Sequence, residues 1–244
     1  MKKSLLTAIL LPFLFLQGIH AAIPGNYDII APLLPPAEHS LDKVHVDEVF
    51  SFTCSHCFEL NKVLPLIEKT FEGKLEIESR PVGWVGHNPG RLYYIGVKKR
   101  KGQRVKDRIF SFVFEQGEEV GNRIDTKEIL KNVAILEGLS REFDELMEDP
   151  GIVKKMNDSI AFAKQADIDS TPTLVIEGAI KTSRDLGNLF GILNSLLKEP
   201  VADPMRRFKE LEREAREKPQ KKKENPAEPK KGGVWKRIIG LFGG

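Results

Sequence analysis

VFSFTCSHCFELNKVLP, Val49 to Pro65, holds both cysteines of this 244-residue chain, Cys54 and Cys57. The segment that leads into it, Val44–Phe52, is rich in Val and Phe and predicts a buried strand. From Cys54 onward the apolar residues change to helical spacing. The sequence therefore places the two thiols where a strand ends and a helix begins.

Two cysteines separated by two residues have three physical uses. Zinc normally takes four ligands, and no H-x₃₋₅-H spacing supplies the missing two here. A structural disulfide that closes so short a loop removes little chain entropy. A redox pair needs its first thiol at a helix N-terminus, where the positive end of the helix favours the thiolate. Its second thiol lies one turn later and resolves mixed disulfides, so the pattern favours redox exchange.

The N-terminal residues predict a secretory signal that is removed. Lys2 and Lys3 precede an apolar run, Leu5–Leu16, and Ala21-Ala22 ends the segment with small residues. The run has about 12 residues, whereas a membrane-spanning helix needs roughly 20. We therefore expect residues 1–22 to be a signal peptide.

The body of the chain alternates between strand and helix patterns. Lys74–Val82 predicts a second strand, and a mostly helical block begins at Asn88. Thr173–Thr182 predicts a hairpin around Glu177-Gly178, and a helix follows. This order indicates an α/β domain with helices inserted in its middle.

These features resemble the DsbA-type thiol:disulfide oxidoreductases of bacterial envelopes. The resemblance is carried by the signal, the apolar run into C-x-H-C, the central helical block and the late STPTLVIEG, Ser170 to Gly178. It covers roughly residues 27–197. It implies a thioredoxin-like α/β fold over residues 23–202, with a helical domain inserted at about 84–165.

The resemblance also implies roles for six residues. Cys54 matches the nucleophilic cysteine and Cys57 the resolving one. His56 matches the histidine that lowers the pKa of the first thiol. Thr171 and Pro172 match the residue before a cis-proline and the proline itself, which face the thiols. The sixth residue, Glu48, matches a buried acidic group behind the thiols that relays protons.

The function implied is that of a periplasmic enzyme that introduces disulfides into unfolded or reduced secreted proteins. A quinone-linked membrane protein of the DsbB type would reoxidise it, and no metal or organic cofactor is expected. Strongly oxidising members commonly have Pro where this chain has Ser55, so the redox direction is open. A reductase or isomerase of the same fold remains an alternative. A soft-metal-binding module, with thiolates and a histidine on an ion such as Cu(I), is an alternative of another class.

Two basic segments need a separate interpretation. Lys98–Arg108 has seven basic residues but no nucleic-acid-binding motif, so we interpret it as a solvated helix junction and expect no nucleic acid partner. Residues 203–244 contain 13 Lys and Arg against 7 Asp and Glu. They predict a charged helix, then a disordered linker. The amphipathic end, Val234–Gly244, is expected to contact an anionic membrane or a partner, with a frayed terminus as the alternative.

Overall fold

A computed structural model describes residues 23–31, 40–83, 86–117 and 121–217. The predicted signal peptide, the predicted linker and the amphipathic end lie outside the described residues. Within the described part of the chain, no helix has the length and apolar character needed to cross a bilayer.

Five strands form one mixed sheet. They are β1 (Asp28–Ile29), β2 (Val44–Phe50), β3 (Leu75–Pro81), β4 (Thr173–Ile176) and β5 (Ile180–Thr182). Their order in the sheet is β1-β5-β4-β2-β3; β2 runs parallel to β3, and every other neighbouring pair is antiparallel. Every residue of β2 except His45 is buried. Burial on both faces explains the nearly continuous apolar run that leads to the cysteines.

Eight helices in the described residues surround the sheet. They are α1 (Ser55–Thr70), α2 (Asn88–Lys98), α3 (Gly102–Phe114), α4 (Lys127–Leu136), α5 (Ser140–Leu146), α6 (Pro150–Gln165), α7 (Leu186–Leu196) and α8 (Pro204–Glu217). Helices α2 to α6 lie between β3 and β4 in the chain. The predicted thioredoxin-like α/β fold with a helical insertion is confirmed.

Local sequence signals account for several element boundaries. The turn between β4 and β5 has Glu177 at φ 51° and Gly178 at φ 62°. A two-residue type I′ turn requires a positive φ at both of its central residues. The Asp149 carboxylate accepts a hydrogen bond from the Ile152 amide at 3.0 Å and caps α6. Helix α1 continues through Pro65 as one helix. Helix α8 spans Pro204–Glu217, in the segment where the sequence predicts a charged helix.

The segment that contains both cysteines contributes side chains to two hydrophobic cores. One core lies between the sheet, α1 and α7, and α8 closes it by placing the Phe208 ring 5.6 Å from that of Phe190. The other core fills the helical domain, and it includes Phe50, Phe52 and Cys57. The strand that enters the cysteine motif is therefore anchored in the helical domain as well as in the sheet.

Candidate active site

Cys54 is the N-cap residue of α1. Its backbone is extended, at φ −93° and ψ 116°, and its Sγ accepts a hydrogen bond from the Cys57 amide at 3.3 Å. The first turn of α1 contains no acidic residue. The positive end of the helix therefore acts on the Cys54 sulfur without an opposing carboxylate in that turn.

Cys57 lies one turn further along α1, and its environment is different. Both cysteines are free thiols, but Cys54 is half-buried and Cys57 has no exposed surface. Burial raises the pKa of Cys57, and the neighbouring Cys54 thiol raises it further. The two sulfurs are therefore chemically unequal: one can be reached and ionised, and the other is held as a neutral thiol.

The pKa of Cys54 lies below its ordinary value. Partial burial raises this pKa, but hydrogen bonding with the Thr171 side chain, the Cys57 thiol and the backbone amides of Cys57 and His56 lowers it by more. The His56 side chain itself is exposed. The contribution of His56 to the pKa of Cys54 in this structure thus comes from its backbone amide.

The Thr171-Pro172 pair lies directly against Cys54. Its peptide bond is cis, and the Cys54 thiol donates a hydrogen bond to the Thr171 carbonyl oxygen at 3.1 Å. An open, mostly polar groove of about 640 Å³ begins at Pro172 and extends past the end of β5 to the segment that contains β1. The structure therefore brings Cys54, Cys57, Thr171 and Pro172 together beside a groove.

Glu48 is fully buried on β2, opposite Ser79 of β3. Its Oε2 accepts hydrogen bonds from the Lys106 ammonium and the Ser79 hydroxyl, each at 2.5 Å. Lys106, carried by α3, is also buried, and its ammonium lies 4.2 Å from the centre of the Phe50 ring. Within the described residues Glu48 makes no hydrogen bond to either thiol, so it does not join the cluster around Cys54 directly.

A family profile described as thioredoxin matches residues 40–194, which is more than half of the chain. DsbA of Bordetella pertussis (strain Tohama I), a thiol:disulfide interchange protein, is 22% identical over 172 residues, covering 70% of this chain and 79% of the relative. The chain belongs to the thioredoxin family, as a thiol:disulfide oxidoreductase of the DsbA type.

Solved structures of DsbA proteins share the fold. The crystal structure of DsbA from Xylella fastidiosa superposes with a TM-score of 0.57 at 22% identity, covering 71% of this chain and 96% of that one. Proteus mirabilis DsbA, in complex with the non-covalently bound peptide PWATCDS, gives a TM-score of 0.52 at 17% identity and covers 70% and 92%.

The burial of Lys106 in this DsbA-type chain is not predicted by the sequence analysis. The interpretation of residues 98–108 as a solvated helix junction is wrong for Lys106, which is buried. Lys106 lies three and four positions before Ile109 and Phe110, both of which are fully buried. Residues at these spacings share a helix face, so helical periodicity predicts that Lys106 points inward. A buried lysine then requires a partner such as Glu48.

The unequal thiols give an expected pH profile for alkylation of the reduced protein. Iodoacetamide reacts with the thiolate, so modification of Cys54 should have its midpoint below the ordinary thiol pKa of about 9. Cys57 should stay unmodified in that range, because its pKa is raised. Thr171→Val removes the side-chain hydroxyl that lowers the Cys54 pKa but keeps the carbonyl oxygen that accepts the thiol hydrogen bond, so it should move the midpoint upward. Mass spectrometry of each cysteine measures both.

Thr53→Val serves as the matched control for this experiment, since Thr53 is exposed and does not contribute to the Cys54 pKa. Its midpoint should equal that of the wild type. An alkylation midpoint at or above pH 9 for Cys54 would contradict the assignment of this thiol as the ionised one.

Proposed function

We propose that this chain is a periplasmic enzyme that transfers its Cys54–Cys57 disulfide to reduced secreted proteins. The observation that carries the proposal is the inequality of the two sulfurs. Cys54 is reachable at the N-terminus of α1 with a lowered pKa, and Cys57 is buried with a raised one. An acidic first thiol backed by a buried resolving thiol is the arrangement that disulfide exchange requires.

Exchange proceeds in two displacements at sulfur. A client thiolate attacks Cys54 Sγ of the oxidised enzyme, a mixed disulfide forms, and Cys57 leaves as a thiolate that takes up a proton. A second client thiolate then attacks the client sulfur of the mixed disulfide and releases Cys54 as a thiolate. The client loses two electrons and gains a disulfide, and the enzyme gains the same two electrons as a dithiol.

Stabilisation of the leaving Cys54 thiolate sets the direction of exchange. The thiolate exists only in the reduced enzyme, so whatever lowers its pKa stabilises the reduced form and makes the disulfide form a stronger oxidant. The N-terminus of α1 and the hydrogen bonds to Cys54 act in this sense. They favour an oxidase over the reductase or isomerase alternative. The relatives and structural neighbours give no support to a soft-metal-binding module.

We assign Glu48 a role in proton movement to and from Cys57. The support is its complete burial and its Lys106 partner, whose ammonium packs on Phe50. Phe50 belongs to the same hydrophobic core as Cys57. Cys57 must gain and lose a proton during each cycle in surroundings that disfavour its thiolate, and a buried carboxyl group is a chemically suitable relay.

The groove beside Pro172 is assigned to the client segment that flanks the reacting cysteine. Pro172, the residue after Thr171, lines it together with polar side chains such as Asn26, Asp169 and Ser183. The DsbA of Proteus mirabilis binds a cysteine-containing peptide, PWATCDS. A wide polar groove suits extended, unfolded chains of varied sequence, which is the state in which reduced secreted proteins arrive.

Location and reoxidation follow from the same assignment. The predicted signal peptide and the DsbA-type relatives support export to the periplasm. Reoxidation is assigned to a quinone-linked membrane protein of the DsbB type, which would accept the two electrons that the client releases. The predicted contact of Val234–Gly244 with a membrane lies outside the described residues and stays a prediction.

The reduction potential of the Cys54–Cys57 pair tests the proposed direction. Equilibration with glutathione should give a potential above about −200 mV, compared with about −270 mV for a reducing thioredoxin. His56→Ala keeps the backbone amide through which His56 lowers the Cys54 pKa, so it should leave the potential within about 30 mV of the wild-type value, the shift that one pKa unit would produce. His87→Ala removes another exposed imidazole and should leave the potential unchanged. A wild-type potential near that of thioredoxin would favour the reductase alternative.

A further inference from the structure

Two helices of the inserted domain end side by side, at a basic corner. The segment 98–101, at the end of α2, meets the segment after α4, because the Lys101 ammonium donates to the Glu137 carbonyl oxygen at 2.7 Å. A second contact is an ion pair in which Lys99 Nζ lies 3.3 Å from Oε1 of Glu142, a residue of α5. The two helix ends are therefore neighbours in the fold.

This corner exposes aliphatic side chains. Val97 in the last turn of α2 is 39% exposed, and Ile135 and Leu136 in the last turn of α4 are 54% and 45% exposed. They are three of the four large apolar residues that the described part of the chain exposes. We define the corner surface as these residues with the exposed cations of the first segment, that is Val97, Lys98, Lys99, Arg100, Ile135 and Leu136.

The cations of this corner are only partly neutralised. Lys99 pairs with Glu142, and both Arg104 and Arg108 pair with Glu137. Lys98 and Arg100 form no ion pair within the described residues, and both are exposed. The corner therefore has an excess of positive charge next to its three aliphatic side chains.

A hydrogen-bonded turn closes the corner at the end of α2. Arg100 has φ 57°, and the Lys101 amide donates to the Gly96 carbonyl oxygen at 2.7 Å, which closes the end of α2. Gly96 allows α2 and α3 to approach closely, since a Cβ atom there would lie 2.7 Å from Val105 Cγ2. Lys98 and Arg100 are thus presented from a fixed turn, and their side chains can extend outward.

We propose that the corner surface docks on an anionic phospholipid bilayer. Its aliphatic side chains would enter the interfacial region, and Lys98 and Arg100 would lie against the phosphate groups. An acidic protein is the competing partner. The residues that dominate binding energy in protein interfaces are enriched in Trp, Tyr and Arg, and Leu and Val are under-represented among them. Three aliphatic residues beside unpaired cations fit a lipid surface better.

Docking at this corner leaves the thiols free. Helix α3 starts at the corner and ends at Phe114, whose ring stacks on that of Phe58, the residue after Cys57, with the ring centres 5.0 Å apart. A 13-residue helix is about 20 Å long. The corner surface and the cysteine motif therefore lie at opposite ends of α3, and docking needs no change in the redox chemistry.

Co-sedimentation of the full-length protein with phosphatidylglycerol vesicles at low salt tests the proposal. Lys98→Gln with Arg100→Asn should weaken binding about 25-fold, since each cation near an anionic surface contributes about fivefold. Asn is chosen for Arg100 because it tolerates positive φ. Ile135→Gln with Leu136→Gln should weaken binding about tenfold. Phosphatidylcholine vesicles should bind the wild type weakly.

The matched control is Lys154→Gln with Lys164→Gln on α6, which changes the net charge equally at two other exposed lysines. It should change binding less than twofold. All variants should keep wild-type disulfide exchange in solution, which separates this test from that of the proposed function. Equal losses in the control, or no loss in either corner variant, would overturn the proposal. So would capture of an acidic protein through Lys98 and Arg100 without vesicle binding.

Discussion

Replacing Cys54 with alanine should abolish disulfide exchange, whereas Cys57→Ala should trap client proteins as mixed disulfides. Cys54 is the reachable sulfur with the lowered pKa, and the client thiolate attacks it. Without Cys57, the mixed disulfide that forms at Cys54 cannot be resolved from within the enzyme. We expect the Cys54→Ala variant to lose activity by about a thousandfold or more.

Non-reducing electrophoresis followed by mass spectrometry of the trapped species measures both variants of this pair. Each variant serves as the control for the other, since both retain one thiol in the same motif. Circular dichroism should show that both are folded. Equal trapping of clients by Cys54→Ala would mean that Cys57 is the nucleophile and that the assignment is wrong.

Lys106→Met should lower the free energy of unfolding by about 3–5 kcal/mol. The Lys106 and Glu48 side chains are 1% and 0% exposed, and Lys106 Nζ lies 2.5 Å from Glu48 Oε2. Removal of the lysine leaves a carboxylate in the core with only the Ser79 hydroxyl as a partner, and burial of an uncompensated charge is costly. Urea unfolding of the reduced protein measures the loss, and methionine is a helix former of similar length.

A double variant separates the charge effect from loss of packing. Glu48→Gln combined with Lys106→Met removes both charges, and it should recover much of the stability that Lys106→Met loses. The control Lys62→Met breaks an exposed pair with Glu59, and it should cost less than about 1 kcal/mol. A Lys106→Met variant as stable as this control would show that the buried pair contributes little to folding.

Much of the active site could be predicted from local sequence because its geometry is local. The passage from β2 into α1 is visible in the change from strand to helical spacing at Cys54. The β4–β5 hairpin and the capping aspartate of α6 follow from the preferences of single residues for turns and caps. Such preferences act over a few residues, so a single sequence is enough to read them.

Long-range contacts could not be read in this way. Glu48 and Lys106 are 58 residues apart, and only the packing of α3 against the sheet brings them together. Thr171 is 117 residues from Cys54, yet its carbonyl oxygen accepts the thiol hydrogen bond.

Two cysteines at the start of a helix, in an α/β chain with a helical insertion, can be inferred from local sequence patterns without any structure. Tertiary structure alone decided that Cys54 is reachable and Cys57 is buried, because burial depends on the helical-domain core that closes over the second thiol. It also decided that one lysine of a basic segment pairs with Glu48 while Lys98 and Arg100 stay at the surface. Charge and periodicity are properties of the chain, but the surroundings of a charge are set only when distant segments pack.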